Sequence, residues 1–119
     1  MGGDMVTALG RAASGANTLF GHNSSRPADE PQALVRSPGR SFALGEKVRT
    51  QHLELSQARQ TFTAVGTQGR GLWGFHHGAN EHGVAAGCTG ITTRLRGDGP
   101  GLTGPDLVRL ALERGRTAR

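Results

Sequence analysis

Helical periodicity occurs in one stretch of this chain, and that stretch comes last. Leu107, Val108, Leu110, Ala111 and Leu112 recur at the three- and four-residue spacing that gathers a wide apolar face. Thr103 stands where an N-cap belongs, Pro105 falls in the first turn, and Asp106 follows Thr103 by three residues as a capping-box acid. Arg114 and Arg116 suit the negative end of the helix dipole. Everything before this helix is short apolar runs cut by glycine. Such an order fits α+β: mostly antiparallel strands, about six of them, followed by one helix that packs on the sheet.

Residues 4–9 and 17–22 are two such runs, joined by a segment with glycines where a turn needs them, and read as a β-hairpin. Residues 32–36 read as a strand, 37–39 as a turn, and 46–55 as an imperfectly alternating strand. Residues 61–65 are β-branched and aromatic enough for another. Residues 72–83 form a glycine-punctuated polar segment, and 84–87 and 88–93 read as strand. Glycines at 74, 78, 83, 87 and 90 imply that something lies close against this region.

Twenty glycines and 4% aromatic residues among 119 leave few large side chains for a core. Phe20, Phe42, Phe62, Trp73 and Phe75 with scattered Leu and Val make a thin one for this length. A single, incomplete domain over residues 1–119 is expected, one that leaves part of its apolar surface for another layer to cover. The exposed surface would be the helix face at Leu107, Leu110 and Leu112 or the sheet face opposite it.

The net charge is +5, with 13 arginines against one lysine. A nucleic-acid footprint needs such charges grouped on one face with stacking aromatics. Here only Arg94 with Arg96, and Arg114, Arg116 and Arg119, come close together, so nucleic acid is not expected as a partner. One cysteine, Cys88, excludes an internal disulfide and fits a reducing compartment. No secretory signal and no membrane-length apolar run is visible, and a cytoplasmic protein is the expectation.

Residues 19–27 carry the clearest polar strand end. Leu19 and Phe20 run into Gly21, then His22, Asn23, Ser24, Ser25 and Arg26, then Pro27, which cannot continue a ladder. A strand end of this kind needs no function, since turns are polar anyway. Other candidates carry similar alternatives. His76, His77, His82 and Cys88 are zinc-type ligands, but in none of the usual zinc spacings, and no metal or other cofactor is expected. Cys88 as a nucleophile needs a histidine base; the commoner role is a small buried thiol. Asn80 and Glu81 before His82 and Gly83 fit a site or an Asx-type turn.

Four ordered motifs add a resemblance. Residues 4–9, residues 18–27, Trp73-Gly74 with residues 78–84, and residues 104–114 are similar, in this order, to the N-terminal portion of the secernin and C69 dipeptidase family. The resemblance implies part of an N-terminal nucleophile (Ntn) hydrolase αββα sandwich, in which an N-terminal cysteine attacks an amide and its own α-amine acts as base. The start of the first strand would then lie beside the end of the second. The position of that cysteine falls on Gly3, which has no side chain. The acid expected to hold the amine falls on Ser25, and the basic residue before Asn23 falls on His22. Asn23 and Arg26 are kept, as are Asn80 and Glu81, which with Cys88 would line the substrate or oxyanion side. The implied function is that of a dipeptidase-like amide hydrolase acting on small peptides, inactive as written. The alternatives are a non-catalytic interaction half completed by a second chain or a second copy, or an acyltransferase of the same superfamily.

Overall fold

The computed structural model describes residues 2–95 and 97–119. Met1 and Arg96 lie outside the described residues, and so does the pairing of Arg96 with Arg94. The first hairpin forms from β1 (Gly3–Ala8) and β2 (Leu19–Ser24), antiparallel from Gly3 opposite Ser24 to Ala8 opposite Leu19. Gly10 and Gly15, both at positive φ, shape the connection, which also holds a single 3-10 turn at Gly10–Ala12. A four-stranded antiparallel sheet follows in the order β3 (Gln32–Ser37), β6 (Ala64–Gly69), β7 (His77–Asn80), β8 (Ala85–Gly87). A small hairpin, β4 (Lys47–Arg49) and β5 (Glu54–Ser56), is inserted before β6. The helix α1 (Gly104–Arg114) comes last.

The α+β class, the mostly antiparallel pairing and the closing helix agree with the sequence. Four elements differ from it. Residues 46–55 fold back on themselves because Thr50, 4% exposed, donates its hydroxyl to the Leu53 carbonyl at 3.0 Å and makes a turn in mid-run. The strand read at 61–65 runs instead over Ala64–Gly69. The polar segment 72–83 contains β7, a strand of small residues whose Gly78 lies under the helix: a Cβ there would sit 3.0 Å from Leu112 Cδ1 and against the Val65 carbonyl. Residues 88–93 leave the sheet after Cys88, whose N–H donates to the His76 carbonyl at 3.0 Å.

The capping box forms as expected: Thr103 Oγ1 accepts from the Asp106 N–H, and Asp106 Oδ2 accepts from the Thr103 N–H at 2.9 Å. Asp106 is fully buried, and its other oxygen accepts from the Gln51 N–H, tying α1 to the β4–β5 hairpin. One turn on, on the same side of the helix, Arg109 donates to Glu113 at 2.8 Å and to the Trp73 carbonyl at 2.7 Å, and lies 4.4 Å above the Trp73 ring. The core beneath is small: Ala64, Phe75, Val108 and Leu112, bordered by Val35, Val84, Ala86 and Cys88. Of the five aromatic residues named for it, only Phe75 is fully buried.

Helix and sheet make two layers. Residues alternate across a strand, so the face away from the helix carries Leu34, Val65, Ala79 and Ala85, linked by cross-strand register through Thr67 and all exposed. Leu110 and Leu112 are buried, whereas Leu107 is 54% exposed. Among the described residues no helix is long and apolar enough to cross a membrane.

Candidate functional site

Residues Gly3, Met5 and Thr7 share one face of the first hairpin with Ser24, His22 and Phe20, because each pair stands in cross-strand register. That face meets the β8 corner of the main sheet. A Cβ at Gly87 would lie 3.1 Å from both His22 Cδ2 and Phe20 Cζ, so the hairpin seats closely on this glycine. His22 also reaches the neighbouring strand, its ring centroid 4.7 Å from that of His77. These contacts divide the cleft in two. At the start of β1 is a chamber of about 210 Å³ with a mixed lining, its polar part supplied by Ser24, Arg26 and Thr89 and the rest by Gly2, Cys88 and the helix start at Gly104 and Pro105. Beyond Phe20 opens a larger apolar groove.

Hydrogen bonds fix the protons on the histidines behind Cys88 and Arg26. His22 Nε2 donates to the Cys88 carbonyl at 2.8 Å, which leaves the lone pair on Nδ1, a buried atom with no protein partner. Arg26 donates through Nη2 to His76 Nδ1 at 2.8 Å, through Nη1 to Glu30 at 3.3 Å and through Nε to Ser24 at 3.3 Å. A guanidinium can only donate, so His76 is neutral with its proton on Nε2. That nitrogen is also buried and unpartnered by protein, as is Glu30 Oε2, and His76 Nε2 and Glu30 Oε1 both crowd the space above Gly69.

The ionisation states follow from burial. Burial pushes the His76 imidazole below its ordinary value of 6.5, Arg26 pushes the same way, Glu30 opposes, and His22 and His77 add to the lowering. His77 is lowered by burial and by His22, and shares a hydrogen bond with Thr67 Oγ1 at 3.1 Å. Burial raises the Cys88 thiol, with Arg26 partly offsetting it. The thiol points to the His76 carbonyl at 3.6 Å and packs against Gly104, and His22 faces the Cys88 carbonyl instead of its sulfur. Cys88 therefore has neither a depressed pKa nor a base in hydrogen-bond contact, the two things an attacking thiol needs.

The eight residues singled out in the sequence separate into two groups. Gly3, His22, Arg26 and Cys88 surround or adjoin the chamber. Asn23, opposite Asp4, and Ser25, whose N–H donates to the Gly2 carbonyl at 2.9 Å, hold the strand end but expose their side chains. Asn80 and Glu81 lie at the other end of β7, roughly 10 Å along the strand from His77. Asn80 is 8% exposed and its amide is spent: Nδ2 donates to the Leu112 and Gly115 carbonyls, and Oδ1 accepts from the His82 and Val84 N–H groups. This is the Asx-type turn, here joined to the helix C-terminus. Glu81 accepts from the Thr63 N–H at 2.8 Å and is equally structural. His82 stands apart, edge-on to Phe62 at 4.3 Å.

Two residues that hold Arg26 are not among the site residues read from the sequence: His76, which the sequence offers only as a zinc-type ligand, and Glu30. The Arg26–Glu30 spacing of four is the only sequence signal for the pair, and it falls outside any helix. Among the described residues no three His, Cys, Asp or Glu side chains are grouped to hold a metal ion. Within the chamber Arg26 supplies a guanidinium held in place by Ser24, Glu30 and His76. Compared with known proteins, this chain matches no family model and no solved structure.

Proposed function

We propose that the chain is a dipeptidase-like amide-hydrolase half of the secernin type, in which a small peptide or amide is bound and not cleaved. The observation that carries this reading is the setting of Gly3. It stands opposite Ser24 and follows Gly2, two residues that line the chamber with Arg26 and Cys88, and it holds the position where an N-terminal nucleophile of that family would act. Glycine offers no nucleophile, and a Cβ at this position would come 2.5 Å from the Asn23 carbonyl, so the strand start has closed down on the missing side chain. The Ntn-type αββα arrangement belongs to the same reading: helix and sheet would be two of its layers, and the β1–β2 hairpin a remnant of a third.

The test is a panel of dipeptides and amino-acid amides, assayed for cleavage by mass spectrometry and for binding by ligand-observed NMR. The chain as it stands is expected to bind without turnover, with binding lost in Arg26→Gln. Hydrolysis by the wild-type chain that disappears in Arg26→Gln would overturn the proposal, as would binding that ignores this substitution. A chain starting at residue 3 with Gly3→Cys frees the strand start and supplies thiol and amine together; turnover gained there alone supports the lineage.

The interaction-subunit reading is favoured by the exposed sheet face, where Leu34 is 76% and Val65 39% exposed. The two readings are compatible, since a binding half can also be an assembly half.

A further inference from the structure

The apolar groove beyond Phe20 has about 620 Å³ and is built unlike the chamber at the start of β1. Met5, Thr7 and Leu9 line it from β1, with Thr18 and Phe20 from the other side of the hairpin. These are every second residue, as when a strand presents a face. The other wall is lined by residues 82–87, of which 82–84 form the turn out of β7 and Ala85–Gly87 are the whole of β8. β8 is the outer strand of the four-stranded sheet, paired only with β7. Its free edge therefore borders a groove with an apolar floor.

The charged side chains around this groove have one sign. Arg116 lines it, and Arg114 and Arg119 line a continuous hollow of about 660 Å³ that shares Val84, Ala85, Ala86, Thr117 and Ala118 with it. No aspartate or glutamate side chain lines either space. Met5 and Leu9, 50% and 60% exposed, complete a surface that is apolar below and basic at the rim.

We propose that this groove takes an extended peptide segment with alternating apolar and acidic side chains, which adds as a strand to the β8 edge. Backbone groups pair with β8, apolar side chains enter over Met5, Leu9 and Phe20, and the acidic side chains face Arg116 and Arg119, Arg114 being turned to Ser56 and Gln57. A nucleic acid fits less well, because the floor offers aliphatic side chains and a half-buried Phe20 in place of open stacking rings.

The experiment uses the full chain and a fluorescein-labelled Val-Glu-Val-Glu-Val-Glu-Val probe read by polarisation. Three comparisons decide it. A probe with N-methyl groups on the residues facing β8 is expected to lose binding, because it keeps charge and apolarity and loses the strand donors. The double variant Arg116→Glu with Arg119→Glu is expected to weaken the acidic probe about tenfold and to gain binding of the Lys-for-Glu probe. Leu9→Asp, at an exposed position, is expected to weaken the acidic probe as well. Equal binding of methylated and unmodified probes would overturn the proposal, whatever the variants do. So would no preference between acidic and basic probes, or competition by oligothymidylate as effective as by unlabelled peptide. The dipeptide assays above read the chamber at Arg26 and stand apart from these outcomes.

Discussion

The hydrogen bond from Arg26 to His76 exists only while the imidazole is neutral, because a protonated ring offers no acceptor to a guanidinium. Burial and Arg26 hold His76 below 6.5 in the folded chain, whereas the unfolded chain titrates at the ordinary value. Between those two values the unfolded state binds more protons, so stability rises with pH there. The contribution is complete above 6.5 and is lost as pH falls below it; His77, also lowered, acts in the same direction. Thermal melts across this range are expected to show Tm level above 6.5 and falling below it. In His76→Asn, whose amide oxygen replaces Nδ1 as acceptor, the fall should be shallower, with His77 accounting for what remains. An equal fall in both proteins would show that the Arg26–His76 bond is not what titrates. The residues of this cluster were only partly legible in the sequence. His22 and Arg26 announce themselves as a polar strand end; His76 and Glu30 join them through tertiary folding, which no spacing encodes.

At the scale of elements, the helix cap and the first hairpin are legible because their chemistry is self-contained, whereas the equally local Thr50–Leu53 turn carries no turn residue to announce it. The capping box of α1 needs only Thr103 and Asp106, and the first hairpin needs only two apolar runs and glycines between them. Thr103→Ala removes the acceptor for the Asp106 N–H and should cost about 1 kcal/mol, a drop of a few degrees in Tm measured by differential scanning calorimetry. An unchanged Tm would mean that Asp106, already buried against Gln51, holds the helix start without the cap. Other differences from the sequence reading depend on distant partners. β7 is a strand of His, Gly, Ala and Asn with no strand propensity to speak of, and exists because β6 and β8 flank it and Leu112 lies on it. Gly66 shows the same dependence, since a Cβ there would stand 2.8 Å from the Phe75 Cβ. Gly66→Ala should therefore destabilise the sheet by about 1–3 kcal/mol through overpacking, readable in urea denaturation as a lower midpoint at unchanged slope.

The whole molecule carries more surface than its mass requires. Its accessible area is 8333 Å², against about 6,100 Å² for a compact monomer of 12.4 kDa. Its radius of gyration is 15.2 Å, against about 13.5 Å for a compact chain of this length. The surplus of about 2,200 Å² exceeds the roughly 800 Å² that one partner buries in an interface of standard size. Part of it is the sheet face away from the helix, where Leu34 and Val65 stand exposed beside Ala79 and Ala85. The scarcity of large side chains made such a surface foreseeable, although the sheet bears more of it than the helix, whose Leu110 and Leu112 are buried. An apolar face of this kind lowers free energy by meeting another, and concentration-dependent association is the expected outcome in sedimentation velocity. Leu34→Lys with Val65→Lys places charge on the face without touching the core residues, so the sedimentation coefficient should return to that of a monomer while Tm stays level. A wild-type chain that remains monomeric at every concentration would mean that the face is tolerated bare. A double variant that still associates would move the contact elsewhere, to the hairpin side at Val6 and Leu19 or to Leu107 on the helix, each more than half exposed.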